Sequence, residues 1–129
     1  MQMTPLETDE QKPSTAPRNS ERELPVDLAH LSRFTFADQA LEKEILGLFL
    51  AQLPETLAAL TAAVNERDWK IAAHTLKGSS RAVGAWRIAR LAEEAEALAA
   101  SRNLRARGEA IARLEEAAAE ARAFIESFC

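Results

Sequence analysis

From Asp38 onward the apolar residues of this chain recur at intervals of three and four, and that interval constrains the fold more than any other feature. Leu46, Phe49, Leu53, Leu57, Leu60 and Val64 are spaced 3, 4, 4, 3 and 4. Ile111, Leu114, Ala118, Ala121, Ile125 and Phe128 alternate 3 and 4. A helix returns to one face about every 3.6 residues, whereas a strand does so every two. Composition agrees, because 27 of the 129 residues are Ala, the strongest helix former, with only 4 Gly and no Tyr. The pattern predicts an all-α protein and argues against a β-sandwich, a large α/β enzyme or a disulfide scaffold.

A short first helix is expected over Val26–Arg33, with Pro25 suited to its first turn and Phe34–Ala37 as a connector. Asp38 then caps a long helix reaching about Glu66, bent where Pro54 removes a backbone donor, with two helices as the alternative. Asp68 is the next expected cap, opening a helix to Val83 that Gly84 ends in the left-handed conformation. A further helix covers Ala85–Arg102 with the stripe Ile88, Leu91, Ala95 and Leu98, Asn103 marks a turn, and the last helix runs from about Arg105 to Phe128. Short connections make successive helices antiparallel neighbours, which gives an up-down-up-down antiparallel four-helix bundle with a short extra N-terminal helix. Residues 1–24 hold Pro5, Pro13 and Pro17 and almost no large apolar side chains, so they are expected to form a disordered tail before a folded domain over 25–129.

The net charge of −4 and pI of about 5.3 argue against a nucleic-acid binder. The single Cys, the terminal Cys129, cannot form an internal disulfide, and a reducing, cytoplasmic compartment is the expectation. No continuous apolar run approaches the ~20 residues that span a bilayer, and the N-terminus lacks a signal-peptide pattern, so no membrane insertion is expected. No Gly-rich nucleotide loop and no Asp/Asn set for ATP and Mg²⁺ is present. His30 and His74 make a poor metal pair, and no metal site is expected.

The helix over 68–83 carries the chemistry. At 100° per residue, with His74 at zero, Trp69, Ala72, Leu76, Ser79, Ser80 and Val83 fall between about 140° and 240° and form the buried face. Lys70, Lys77 and Arg81 lie within about 60° of His74 on the other side. Gly78 lies one turn after His74, in mid-helix, where it costs roughly 1 kcal/mol relative to Ala. Such a glycine serves either close packing of a neighbouring helix or the close approach of a partner to His74. Residues 68–90 hold Lys70, Lys77, Arg81, Arg87 and Arg90 against Asp68, a net +4 in a chain of −4, so the remainder is −8. A cationic field there suits an anionic group at His74 or an acidic partner surface. Ile45, Leu46, Leu48, Phe49, Leu50 and Leu53 make the long helix wider in apolar residues than one stripe needs. The excess is expected chiefly to hold the first helix; the other reading is an exposed patch beside His74, joined by Ile71, that docks a partner helix.

The string His74-Thr75-Leu76-Lys77-Gly78-Ser79-Ser80, with Gly84 six residues after Gly78, resembles the motif of histidine-containing phosphotransfer (HPt) domains. The resemblance extends over about residues 26–127. It implies that His74 is the phosphoacceptor, that Lys77 stabilises charge on the transferring phosphoryl group, and that Gly78 leaves room for the partner. Lys70, Ile71 and Arg81 would widen the partner-binding surface, and Ser79 would allow close packing and orient a polar neighbour. The implied partners are a response-regulator receiver domain and a sensor or hybrid histidine kinase, with the catalytic Mg²⁺ on the receiver and no cofactor here. The chain would be a phosphoryl carrier rather than an enzyme, and a monomer, accepting a phosphoryl group from a receiver phospho-aspartate or a histidine kinase and passing it to a response-regulator aspartate. A helical adaptor or inhibitor without phosphotransfer is the alternative. A domain of a larger kinase is a third reading, and a free-standing protein is preferred to it.

Overall fold

The computed structural model describes residues 24–128. The tail expected over residues 1–24 lies outside the described residues except for Leu24, as does Cys129. Five helices follow one another among the described residues: α1 (Leu28–Thr35), α2 (Gln39–Ala62), α3 (Glu66–Val83), α4 (Trp86–Ala97) and α5 (Leu104–Phe128). The all-α expectation therefore holds. Helix α3 packs between α2 and α4, α5 packs on α4 and α2, and α1 lies against α2 and α3.

The core is built by the periodic residues. Leu46, Phe49, Leu53 and Leu60 of α2, Trp69, Ala73, Leu76 and Val83 of α3, Ile88, Ala92 and Ala95 of α4, and Leu114, Ala121 and Ile125 of α5 are all buried. Many partners are alanines, which let the helices approach while leaving few rotamers to freeze. Val64 departs from the expected stripe and is 89% exposed, because α2 stops at Ala62. Pro54 lies inside α2, which continues as one helix across it. An 18-residue window of α2 has mean hydropathy 1.5, long and apolar enough by length and composition to cross a membrane, although no continuous apolar run in it reaches that length. Here the apolar stripe of α2 faces the core rather than standing alone.

Helix boundaries differ from expectation where side chains choose between neighbouring caps. Helix α1 starts at Leu28 and reaches Thr35, not 26–33, because the Asp27 carboxylate accepts the His30 N–H at 3.1 Å. The connector is then Phe36–Asp38, with Phe36 and Ala37 at positive φ of 52° and 63°. Asp38 caps α2 as expected, accepting from Leu41 N–H at 3.2 Å. Asn65, not Asp68, caps α3: its Oδ1 accepts from Asp68 N–H at 2.8 Å and its Nδ2 donates to Asp68 Oδ2 at 3.1 Å. Asp68 thus sits three residues inside the helix, in the position of a capping box. Gly84 ends α3 at φ 81°, as expected, and Ala85 N–H donates back to Ser80 O at 2.8 Å.

Helix α4 ends at Ala97 rather than Arg102. The Trp69 indole Nε1–H donates to Ala95 O at 2.6 Å, and the last N–H groups turn to partners three residues back, Leu98 to Ala95 and Ala99 to Glu96. Arg107 then donates to Ala99 O at 2.8 Å and lies 4.6 Å over the Trp69 ring. That cluster ties the start of α3 to the end of α4 and the start of α5. The opposite end is tied by α1, where Asp27 N–H donates to Gly84 O at 2.9 Å and Trp86 Nε1–H donates to Asp27 Oδ2 at 2.9 Å.

Candidate functional site

The expected buried face of α3 is the observed one, with Ala73 added and Ser79 only half-buried. Ser80 is fully buried, and Ser79 Oγ–H donates back to Leu76 O at 3.2 Å. His74 therefore stands on the outer face, with its side chain 68% exposed. Its ring is oriented from α4: Nδ1 lies 3.1 Å from Glu96 Oε2. Lys77 Nζ donates to the other oxygen, Oε1, at 2.6 Å. A carboxylate only accepts, so Nδ1 carries the hydrogen, and in the neutral imidazole the lone pair resides on Nε2. Nε2 makes no hydrogen bond among the described residues. The Lys77 ammonium, through its hydrogen bond, and then the His74 ring hold the Glu96 carboxyl below its ordinary value of 4.5, although partial burial opposes this. Glu96 is thus a carboxylate at neutral pH.

Glu96 is the site residue that the sequence reading missed. The signal was the α3–α4 hairpin itself. A turn at Gly84–Ala85 brings 74 and 77 opposite the mid-90s, and the pair Arg81–Glu93 lies nearer the turn in the same antiparallel order. Helix α4 offers Glu93, Glu94 and Glu96, and only the register selects among them.

Gly78 is exposed, and a Cβ built on it would meet nothing within 4 Å. None of the described helices packs against it, so the reading of Gly78 as a helix-packing device is set aside. The cationic field is also weaker than the sequence count suggests. Lys77 pairs with Glu96, Arg81 approaches Glu93 at 3.7 Å, and Arg87 pairs with Glu116 and Glu120 of α5. Lys70 remains exposed beside His74 without a carboxylate partner among the described residues.

The wide apolar side of α2 turns mostly inward. Leu46, Phe49 and Leu53 are buried and Ile45 and Leu50 pack against the core, which leaves only Leu48 of the six well exposed. Ile71 is 52% exposed and joins His74 instead in an open hollow of about 730 Å³, lined also by Glu66, Arg67, Lys70, Thr75 and Glu96. Arg67 is a second residue of this site that the motif did not point to. Among the described residues no group of three or more His, Cys, Asp or Glu could hold a metal ion.

Helices α3 and α4 thus present an exposed imidazole on the outer face of a helical protein, held through one nitrogen by a carboxylate–lysine pair and facing solvent with the other. The Hpt domain family matches residues 44–124, well over half of the sequence, and the chain belongs to that family. The family works by histidine phosphotransfer in two-component signalling, and Hpt domains are in general phosphocarriers. No curated protein and no solved structure matches the chain significantly.

Proposed function

We propose that this protein is a phosphorelay intermediate that accepts a phosphoryl group on His74 Nε2 from a receiver-domain phospho-aspartate or a histidine kinase and returns it to a response-regulator aspartate. The observation that carries the proposal is the Glu96 clamp on His74 Nδ1, which leaves Nε2 as the nucleophilic nitrogen of an exposed ring. In the forward step the Nε2 lone pair forms the N–P bond. The P–O bond to the partner aspartate breaks, and its electron pair leaves with the carboxylate. The imidazole ring becomes cationic as this happens, and Glu96 lies opposite the Nδ1–H to offset that charge. The reverse step follows the same path.

Lys77 holds Glu96 in place and adds positive charge one turn from the acceptor. Gly78, with open space above it, admits the partner's active-site loop, and Ile71 and Arg81 border that surface. The Mg²⁺ of the reaction is assigned to the receiver. The closed ring of α2, α3, α4 and α5, joined by connections of 2–6 residues, is read as an up-down-up-down antiparallel bundle with α1 added outside it. A monomer in the cytoplasm fits one acceptor histidine on one face.

The test is transfer from a phosphorylated receiver domain. Wild-type chain should gain an acid-labile, alkali-stable phosphoryl group, and His74→Gln should gain none. Labelling that persists in His74→Gln removes the assignment. Partner binding that is indifferent to His74, with no transfer in either protein, favours a helical adaptor instead.

A further inference from the structure

We infer that Arg67 and Lys70, rather than Lys77, hold the phosphoryl oxygens once the group sits on His74. The inference deepens the phosphocarrier reading and rests on it. Its first ground is direction. Helical side chains lean toward the N-terminus, so the His74 ring covers the turn before it, where Lys70 and Ile71 project, and not the turn of Lys77 and Gly78. On the helical wheel Arg67 and Lys70 straddle His74, at about +20° and −40°.

The hollow beside His74 lies on that same side. Its lining includes Arg67 and Lys70 and does not include Lys77. A phosphoryl group on Nε2 would enter a space with two cations, the apolar side chain of Ile71 and the Thr75 side chain along its wall.

The ion pairs separate the cations further. Lys77 is only 15% exposed and its Nζ is 2.6 Å from Glu96 Oε1, so reaching a phosphoryl group would break a charge-assisted hydrogen bond that also orients the ring. Arg67 and Lys70 are exposed and have no carboxylate partner among the described residues. Among the described residues their positive charge is thus left unpaired in the unphosphorylated protein. Among the described residues the charged groups facing the site are then Arg67, Lys70, Lys77 and Glu66 from α3 and Glu96 from α4. Glu66 and Glu96 oppose a phosphoryl dianion, and Lys77 already neutralises Glu96. With Arg67 and Lys70 the protein groups come to net +1 facing the incoming dianion; without them they would come to −1.

The test uses phosphoramidate, which phosphorylates imidazole without a protein partner, and follows ³¹P NMR of the full chain against pH. Nearby cations favour the phosphoryl dianion, so removing them raises the pH at which it titrates. Arg67→Gln and Lys70→Gln should each raise that midpoint by about 0.3–0.6, and the double variant by roughly the sum. Arg113→Gln, on the distant α5, should leave it unchanged. Lys77→Gln should move the midpoint less than the double variant. A phosphohistidine signal whose midpoint ignores the double variant, or follows Lys77→Gln alone, overturns the cradle and leaves the carrier reading standing. Absence of any His74-dependent signal in the wild-type chain overturns both.

Discussion

Glu96 accepts from Lys77 Nζ and from His74 Nδ1–H, and both contacts hold its proton affinity below the ordinary value of 4.5. The folded chain therefore takes up this proton less readily than the unfolded chain. The stability it contributes is complete above about pH 4.5 and is lost as the pH falls through the lowered folded value. Glu96→Gln keeps the shape and removes the titration. The denaturant midpoint of the wild type should fall more than that of Glu96→Gln between about pH 6 and pH 3. Equal falls would mean that the carboxylate contributes nothing to folding through these contacts. The same substitution should slow loading of His74 from a phosphorylated receiver by about 10-fold or more, because a neutral amide offsets the developing imidazolium charge less well. His74 itself was legible in the sequence, since its motif is local. Glu96 was not, since it lies 22 positions further on and its role depends on a register that only the packed hairpin defines.

At the scale of the helix, α3 contains one glycine that its own fold does not require and ends on another that it does. A methyl at Gly78 meets nothing within 4 Å, so Gly78→Ala should stabilise the protein by about 1 kcal/mol. The same methyl would stand where a partner loop approaches His74, so transfer from a receiver should slow while loading by phosphoramidate is unchanged. A Gly78→Ala protein that transfers at the wild-type rate would show that the glycine serves no partner. Gly84 is the opposite case. Its φ is 81° and a Cβ would lie 2.9 Å from Asp27 O, so Gly84→Ala should cost about 2 kcal/mol or more, read as a lower urea midpoint. Stability unchanged from wild type would contradict the left-handed cap. The existence and order of the helices were legible, because Leu46, Phe49 and Leu53, or Leu114, Ala118 and Ala121, repeat at helical spacing over several turns. Their ends were less so. Asn65 and Asp68 are both competent caps three residues apart, and tertiary bonds from Trp69 and Arg107 accompany the early end of α4.

For the whole molecule, the question is what α1 does, since the Hpt domain match over residues 44–124 leaves it out. Three sets of contacts bind it to the bundle. Ser32 and Thr35 hydroxyls donate to the buried Glu42 carboxylate of α2 at 3.0 and 2.7 Å. His30 meets the Trp86 ring edge-on at 4.8 Å. Asp27 accepts from Trp86 Nε1–H and from His30 N–H while its backbone bonds Gly84. The Asp27 contacts with Trp86 and Gly84 converge on the α3–α4 turn, which sets the register that carries Glu96 to His74. Among the described residues α1 makes no hydrogen bond with His74, Lys77 or Glu96, so it supports the site from a distance, through the turn. Asp27→Ala removes the cap and leaves the half-buried Trp86 N–H without its acceptor, at a cost of about 1–2 kcal/mol and roughly 5–15 °C in melting temperature. The Trp86 hydrogen bond, followed by the His30 N–H, also holds the Asp27 carboxyl below its ordinary 3.8. Its contribution is complete above about pH 3.8 and lost as pH falls through the lowered folded value, so the variant should lose that part of the acid dependence. Below its melting temperature, Asp27→Ala should still accept phosphate on His74 from phosphoramidate at the wild-type rate. A folded variant that loads slowly would mean that α1 sets the geometry of His74 as well as the stability of the turn beneath it.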